Sequence, residues 1–236
     1  MKSNSNKTVD QAGAAVLANA AEAGMEEAAP RWSGRHSPKR SRRDSILQSV
    51  GLVLRDSRLS SLTMQDIALQ LGITKGNLYY YFRDKQDILY QCHMRCMEIS
   101  LDALHAAQGE IGPRRACLRT LLVRHISGML ENGFGAVLLT DLDNLSPPQR
   151  KRYVAKRDEF EAGVRELITT GVARGEFDCG DVKLASLAML GAINWMPKWY
   201  QPQGALPASA IAEGMTDFLM RSLEPKAPTA HAGRKA

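Results

Sequence analysis

From Asp44 onward, apolar residues return every three or four positions, the period of a helix with one buried face. Ile46, Val50, Val53 and Leu54 make the first stripe, and a polar stretch from Arg55 to Ser61 interrupts it. Met64, Ile67, Ala68 and Leu71 make a second, short stripe. Thr63 opens it with Asp66 in a capping-box position, and Gly72 stops it. Thr74 caps a third helix at Lys75, on which Leu78 and Phe82 share a face. Asp84 or Lys85 begins a longer one, through Leu89, Cys92, Cys96, Ile99, Leu101 and Leu104 to near Gly109.

The remainder reads the same way. Leu118, Leu121, Leu122 and Ile126 form a stripe between Pro113 and Gly133, and residues 136–142 form a short apolar helix. Ser146, Pro147 and Gln149 are a strong start signal for a helix carrying Tyr153, Phe160, Val164, Leu167, Ile168 and Val172, closed by Gly175. Asp181 caps the next, with Leu184, Leu187, Leu190 and Ile193, and Pro197 is expected to end it. A last helix holds Ile211, Met215, Phe218 and Leu219. No strand, hairpin or repeat interrupts this series, so the predicted fold class is all-α.

Charge sharpens the picture. The net charge is +6 over 236 residues, yet residues 31–85 hold eleven Lys or Arg against four Asp or Glu. Such concentration is the footprint of a polyanion-binding module, although a solvated basic face has the same composition. Residues 1–42 read as a flexible tail whose end, 31–43, is a basic arm without acids. No apolar run approaches the roughly 20 residues of a membrane helix, so no membrane association is expected. The N-terminus lacks a secretory signal, and four cysteines are too few for a disulfide framework, which makes the cytoplasm the expected location.

Two short helices joined by a glycine turn, inside a three-helix unit, describe a helix-turn-helix. Ala68 stands four residues before Gly72, where a small side chain lets the helices cross closely. On the second helix, Asn77, Tyr80, Tyr81, Lys75 and Tyr79 lie away from the Leu78–Phe82 face, and no acid lies among them. Buried phenols need hydrogen-bond partners, so consecutive tyrosines at 79–81 suit a surface covered by something flat and polar. The major groove of DNA meets that description: phenols and lysines reach phosphates and Asn77 can pair with adenine. The competing reading is half-buried packing, with Tyr79 the most prone to it.

The stretch "SSLTMQDIALQLGITKGNLYYYFRDKQDIL" (60–89) closely resembles the DNA-binding domain of TetR-type transcriptional regulators. The resemblance implies a three-helix helix-turn-helix domain followed by a larger helical ligand-binding and dimerisation domain. It places Thr63 and Lys85 on phosphates, and Thr74, Lys75, Gly76 and Asn77 on bases and backbone. It puts Tyr79, Tyr80 and Tyr81 on phosphates and groove edges. Arg42 and Arg43, leading into the domain, stand where they can reach the adjacent minor groove or backbone. The implied boundaries are a tail over 1–42, the DNA-binding domain over 43–88, the ligand and dimer domain over 89–223 and a second tail over 224–236. The implied partners are a double-stranded DNA operator, a small-molecule effector and a second copy of the chain. Helices 147–174 and 181–196 suit the dimer, the latter through Ala185, Ala188, Gly191 and Ala192.

Three features hint at the effector. Trp195, Trp199 and Tyr200 cluster at a helix end, Arg124 and His125 sit in an apolar helix, and residues 150–157 concentrate cations. The first loosely resembles family members that respond to acyl-CoA compounds, which implies an apolar pocket with a basic mouth. Packing clusters and a solvated helix explain the same residues. Cys92, His93 and Cys96 could hold a metal or sense oxidation, but helical packing accounts for them more simply. No cofactor or catalytic motif is present, so no enzyme is expected. The expected function is a ligand-responsive repressor, with an activator or a helical adaptor that binds no DNA as alternatives.

Overall fold

Local signals determine where the helices begin. The structure, a computed structural model, describes residues 38–56, 62–139 and 142–225. Among them eight α-helices follow in order: α1 Pro38–Asp56, α2 Met64–Gln70, α3 Lys75–Tyr81, α4 Lys85–Gly109, α5 Arg114–Glu131, α6 Pro147–Ala173, α7 Val182–Trp199 and α8 Ala208–Arg221. Two 3-10 segments, Phe134–Leu139 and Leu142–Asn144, lie between α5 and α6. No strand occurs among the described residues.

Most expected starts are where their caps placed them. Thr63 and Asp66 form a complete capping box, and Thr74 and Asp84 each accept a backbone N–H from the third helical residue. Ser146 and Gln149 form another box, with Pro147 in the first turn. Gly72 adopts φ 62°, the left-handed conformation that lets Ile73 N–H reach back to the Ala68 carbonyl at 3.0 Å and turn the chain into α3.

Three expectations need correction. The first helix begins at Pro38 rather than Asp44, so Arg42 and Arg43 belong to α1 instead of a flexible arm. Proline fits a first helical turn, and the residues after it contain no further breaker before Gly51. Pro197 does not end α7, which continues to Trp199, because a proline in the last turn removes one donor without leaving much helix to disrupt. The apolar stretch expected as a helix over 136–142 is 3-10 over Phe134–Leu139, with residues 140–141 outside the description. The tail before residue 38 and the one after 225 also lie outside the described residues.

Packing makes one continuous core. Ile46, Leu47 and Val50 of α1 join Met64, Ile67, Leu78, Phe82, Ile88 and Leu89 under the helix-turn-helix. The α4 helix then carries the core onward against α5 and α6, while α8 covers α5 and α7 covers α6. The expected domain boundary at 88 and 89 therefore falls inside one unbroken helix, α4. The 3-10 segment Phe134–Leu139 packs on α1, α4 and α7. There α1 crosses so closely that a side chain at Gly51 would meet the Asn132 carbonyl oxygen at 3.3 Å.

Candidate nucleic-acid interface and effector cavity

The third helix is amphipathic within two turns. Leu78 and Phe82 are fully buried, whereas Thr74, Lys75, Gly76, Asn77, Tyr79 and Tyr80 are exposed. Tyr80 is 63% exposed and Tyr79 47%. The half-buried tyrosine is Tyr81 rather than Tyr79: three residues past Leu78, it leans toward the anchored face. Its ring meets Tyr80 edge-on at 5.0 Å and lies beside Phe82. The Lys75 ammonium stands 5.9 Å from the Tyr79 ring centre, a cation over an aromatic face.

The acids around this surface are committed locally. Asp66 accepts both the backbone N–H and the hydroxyl of Thr63, at 2.8 and 2.7 Å. Those two bonds, the backbone one first, hold the Asp66 carboxyl below its ordinary range. Asp84 and Asp87 cap the start of α4, with Arg83 against both. Lys85 Nζ donates to the Leu62 carbonyl at 3.0 Å, which ties α4 to the entrance of α2. Arg43 is half-buried, with its guanidinium 5.3 Å from the Phe82 ring centre, while Arg42 is exposed. Lys85 and Arg43 thus carry structural contacts that residue type alone did not reveal.

A cavity of about 370 Å³ lies between α4, α5, α6 and α7. Its inner wall includes Cys96, Ser100, His125, Tyr153 and Phe160, all buried. Arg157, Leu187, Gly191 and Asn194 are exposed and form its rim. Of the five candidate effector residues, only His125 lines it. Arg124 is exposed, Tyr200 is half-buried, and Trp195 and Trp199 are 59% and 47% exposed. The cations at 150–157 are dispersed: Arg150 pairs with Asp143, Lys156 with Glu159 and Arg157 with Asp158. The missed lining residues sit in helical stripes, and such stripes look alike whether they face a core or a cavity.

Burial controls the titratable groups of this region. It pulls His93 and His125 down to about 4 and pushes Tyr153 up to about 12. His125 packs on Phe160 and His93 on Tyr153, with ring centres 4.8 and 4.7 Å apart. Burial likewise raises the Cys92 and Cys96 thiols, Cys96 to about 12, so both stay protonated and unreactive at neutral pH. Among the described residues no cluster of His, Cys, Asp or Glu could hold a metal ion, and no helix is long and apolar enough to cross a membrane.

Comparison with known proteins follows the same division. Residues 59–92 match the sequence profile "Bacterial regulatory proteins, tetR family", and residues 112–223 match "Tetracyclin repressor-like, C-terminal domain". The HTH-type transcriptional repressor KstR2 of Mycolicibacterium smegmatis is 27% identical over 189 residues, spanning 73% of this chain and 86% of that protein. The crystal structure of the TetR family transcriptional regulator PfmR from Thermus thermophilus superposes with a TM-score of 0.68 at 31% identity, covering 76% of this chain and 99% of that one. AibR, solved in complex with isovaleryl coenzyme A and operator DNA, shares the fold with a TM-score of 0.65 at 22% identity, over 76% and 98% of the two chains.

Proposed function

Because the chain belongs to the TetR family of bacterial regulatory proteins, we propose that it is a cytoplasmic, dimeric repressor released from a palindromic operator by a small hydrophobic effector. The family is one of DNA-binding transcriptional regulators rather than enzymes. The observation that carries the reading is the division of α3: Leu78 and Phe82 anchor it while its acid-free, aromatic and cationic face stays in solvent.

In this reading residues 43–88 grip DNA. Thr74, Lys75, Gly76 and Asn77 meet bases and backbone at the start of α3, and Tyr79, Tyr80 and Tyr81 reach phosphates and groove edges. Arg42, Thr63 and Lys85 support the backbone contacts, and Arg43 steadies the end of α3 through Phe82. One short helix supplies little affinity, whereas two rigidly linked copies multiply it. The dimer surface is assigned to α7 and α8. On α7, Leu184, Ala188, Gly191 and Trp195 follow one another at helical spacing and are all exposed, and α8 adds Phe218. The other helix expected there, α6, buries Tyr153, Phe160, Val164, Leu167 and Ile168.

Residues 89–223 hold the effector cavity, and two elements connect it to the DNA-binding unit. Helix α4 presents Cys96 and Ser100 to the cavity and Lys85 to Leu62. The 3-10 segment contributes Leu138 to the cavity and packs on α1. An effector that fits a slightly displaced α4 selects a dimer whose recognition helices no longer match the half-site spacing. An acyl thioester suits the cavity, since a chain can enter while a large head stays outside the rim. The shared fold of AibR, a protein crystallised with isovaleryl coenzyme A, supports that class. The test is to select bound genomic fragments with the purified protein, then titrate acyl-CoA thioesters into the complex. Release supports the reading. A protein that ignores every duplex at low ionic strength overturns it.

A further inference from the structure

Within the cavity, His125 is chemically out of place. The residue is 3% exposed, and neither ring nitrogen has a hydrogen-bond partner or contact with solvent. Buried polar atoms are nearly always paired, and leaving one unpaired is costly. Of the other polar residues in the inner wall, Ser100 is already engaged, its hydroxyl donating to the Cys96 carbonyl at 2.9 Å, and the Tyr153 ring packs on His93. Phe160 covers one side of the imidazole, and the cavity lies on another. A histidine in a plain apolar wall serves packing no better than a phenylalanine, which would have no polar atoms to satisfy.

We infer that His125 reads a neutral oxygen, a hydroxyl or carbonyl, carried on the buried end of the effector. The inference rests on the proposed effector role of this cavity and narrows it from any apolar chain to an oxygenated one. A neutral imidazole offers one donor and one acceptor, so a hydroxyl or a carbonyl pairs with it without carrying charge into the interior. Its burial keeps the ring in that neutral form at physiological pH. Rotation about the broad terminal torsion of a histidine side chain turns a nitrogen toward the occupant. The charged end of the ligand belongs at the rim, where Arg157 is exposed.

Octanoate and its ω-hydroxy derivative form a matched pair for calorimetric titration into the full-length dimer. The hydroxylated acid should bind about tenfold more tightly, the usual net worth of one hydrogen bond gained by a buried group that is otherwise unpaired. His125→Phe should erase the preference while still binding octanoate, and His125→Gln should retain part of it. Equal binding of the two acids, or a preference unchanged in His125→Phe, overturns the role of His125 and leaves the cavity as an effector site. If neither acid binds the natural protein, the effector reading of the cavity fails and the inference falls with it. Should His125→Phe fail to fold, the comparison in the natural protein and in His125→Gln decides the matter.

Discussion

Lys85 on the first turn of α4 donates to the carbonyl of Leu62 at the threshold of α2, at 3.0 Å. One side chain thus fastens the long helix that lines the cavity to the unit that faces DNA. Replacing it with methionine keeps the apolar stem and removes the donor. Lys85→Met should lower DNA affinity and reduce the salt slope of binding by about one, as loss of one phosphate contact does. The melting temperature should fall little, since a single hydrogen bond contributes about 0.5–1.5 kcal/mol. Fluorescence anisotropy at several salt concentrations measures both, and an unchanged slope would remove Lys85 from the DNA contact.

Tyr80 and Leu78 stand two residues apart with opposite environments, 63% exposed against fully buried. Tyr80→Ala should fold and dimerise normally but bind operator more weakly, by on the order of 1–3 kcal/mol. Leu78→Ala should destabilise the fold by about 2–5 kcal/mol, because it opens a cavity under α3. Thermal melts beside gel-shift titrations separate the two. Full DNA retention by Tyr80→Ala contradicts the assigned interface.

The exposed stripe of α7 predicts assembly. Trp195→Glu, or Phe218→Glu on α8, should yield a soluble monomer in sedimentation experiments, because a charge cannot be desolvated in an apolar interface without a partner. DNA binding should collapse with the dimer. A Trp195→Glu protein that stays dimeric would move the interface elsewhere.

Histidine burial predicts acid sensitivity. His93 and His125 have folded values of about 4 against the ordinary 6.5, so the unfolded chain binds protons first as pH falls. Stability from their neutral burial is complete above about 6.5 and is lost progressively as pH falls from there toward 4, because the unfolded chain then binds protons that the buried rings cannot. Melting temperatures should decline across this window, and His125→Phe should shallow the decline. An identical slope in that variant would show that His125 does not control it.

Most helix starts and the anchored face of α3 were legible in the chain because their causes are local. Thr63 with Asp66, Thr74, Asp84 and Ser146 with Gln149 satisfy backbone groups within a single turn, so residue type and spacing suffice. Leu78 and Phe82 fall on one face by the geometry of any helix. The concentration of positive charge between residues 31 and 85 also needs no folding to be counted.

Tertiary structure decided the rest. It moved the half-buried tyrosine from position 79 to 81 and placed Arg43 on Phe82. It directed Trp195 outward and His125 inward, although both belong to largely apolar helices. The physical reason is that helical spacing specifies which residues share a face, whereas the packing of neighbouring helices determines whether that face meets core, cavity, water or a second chain.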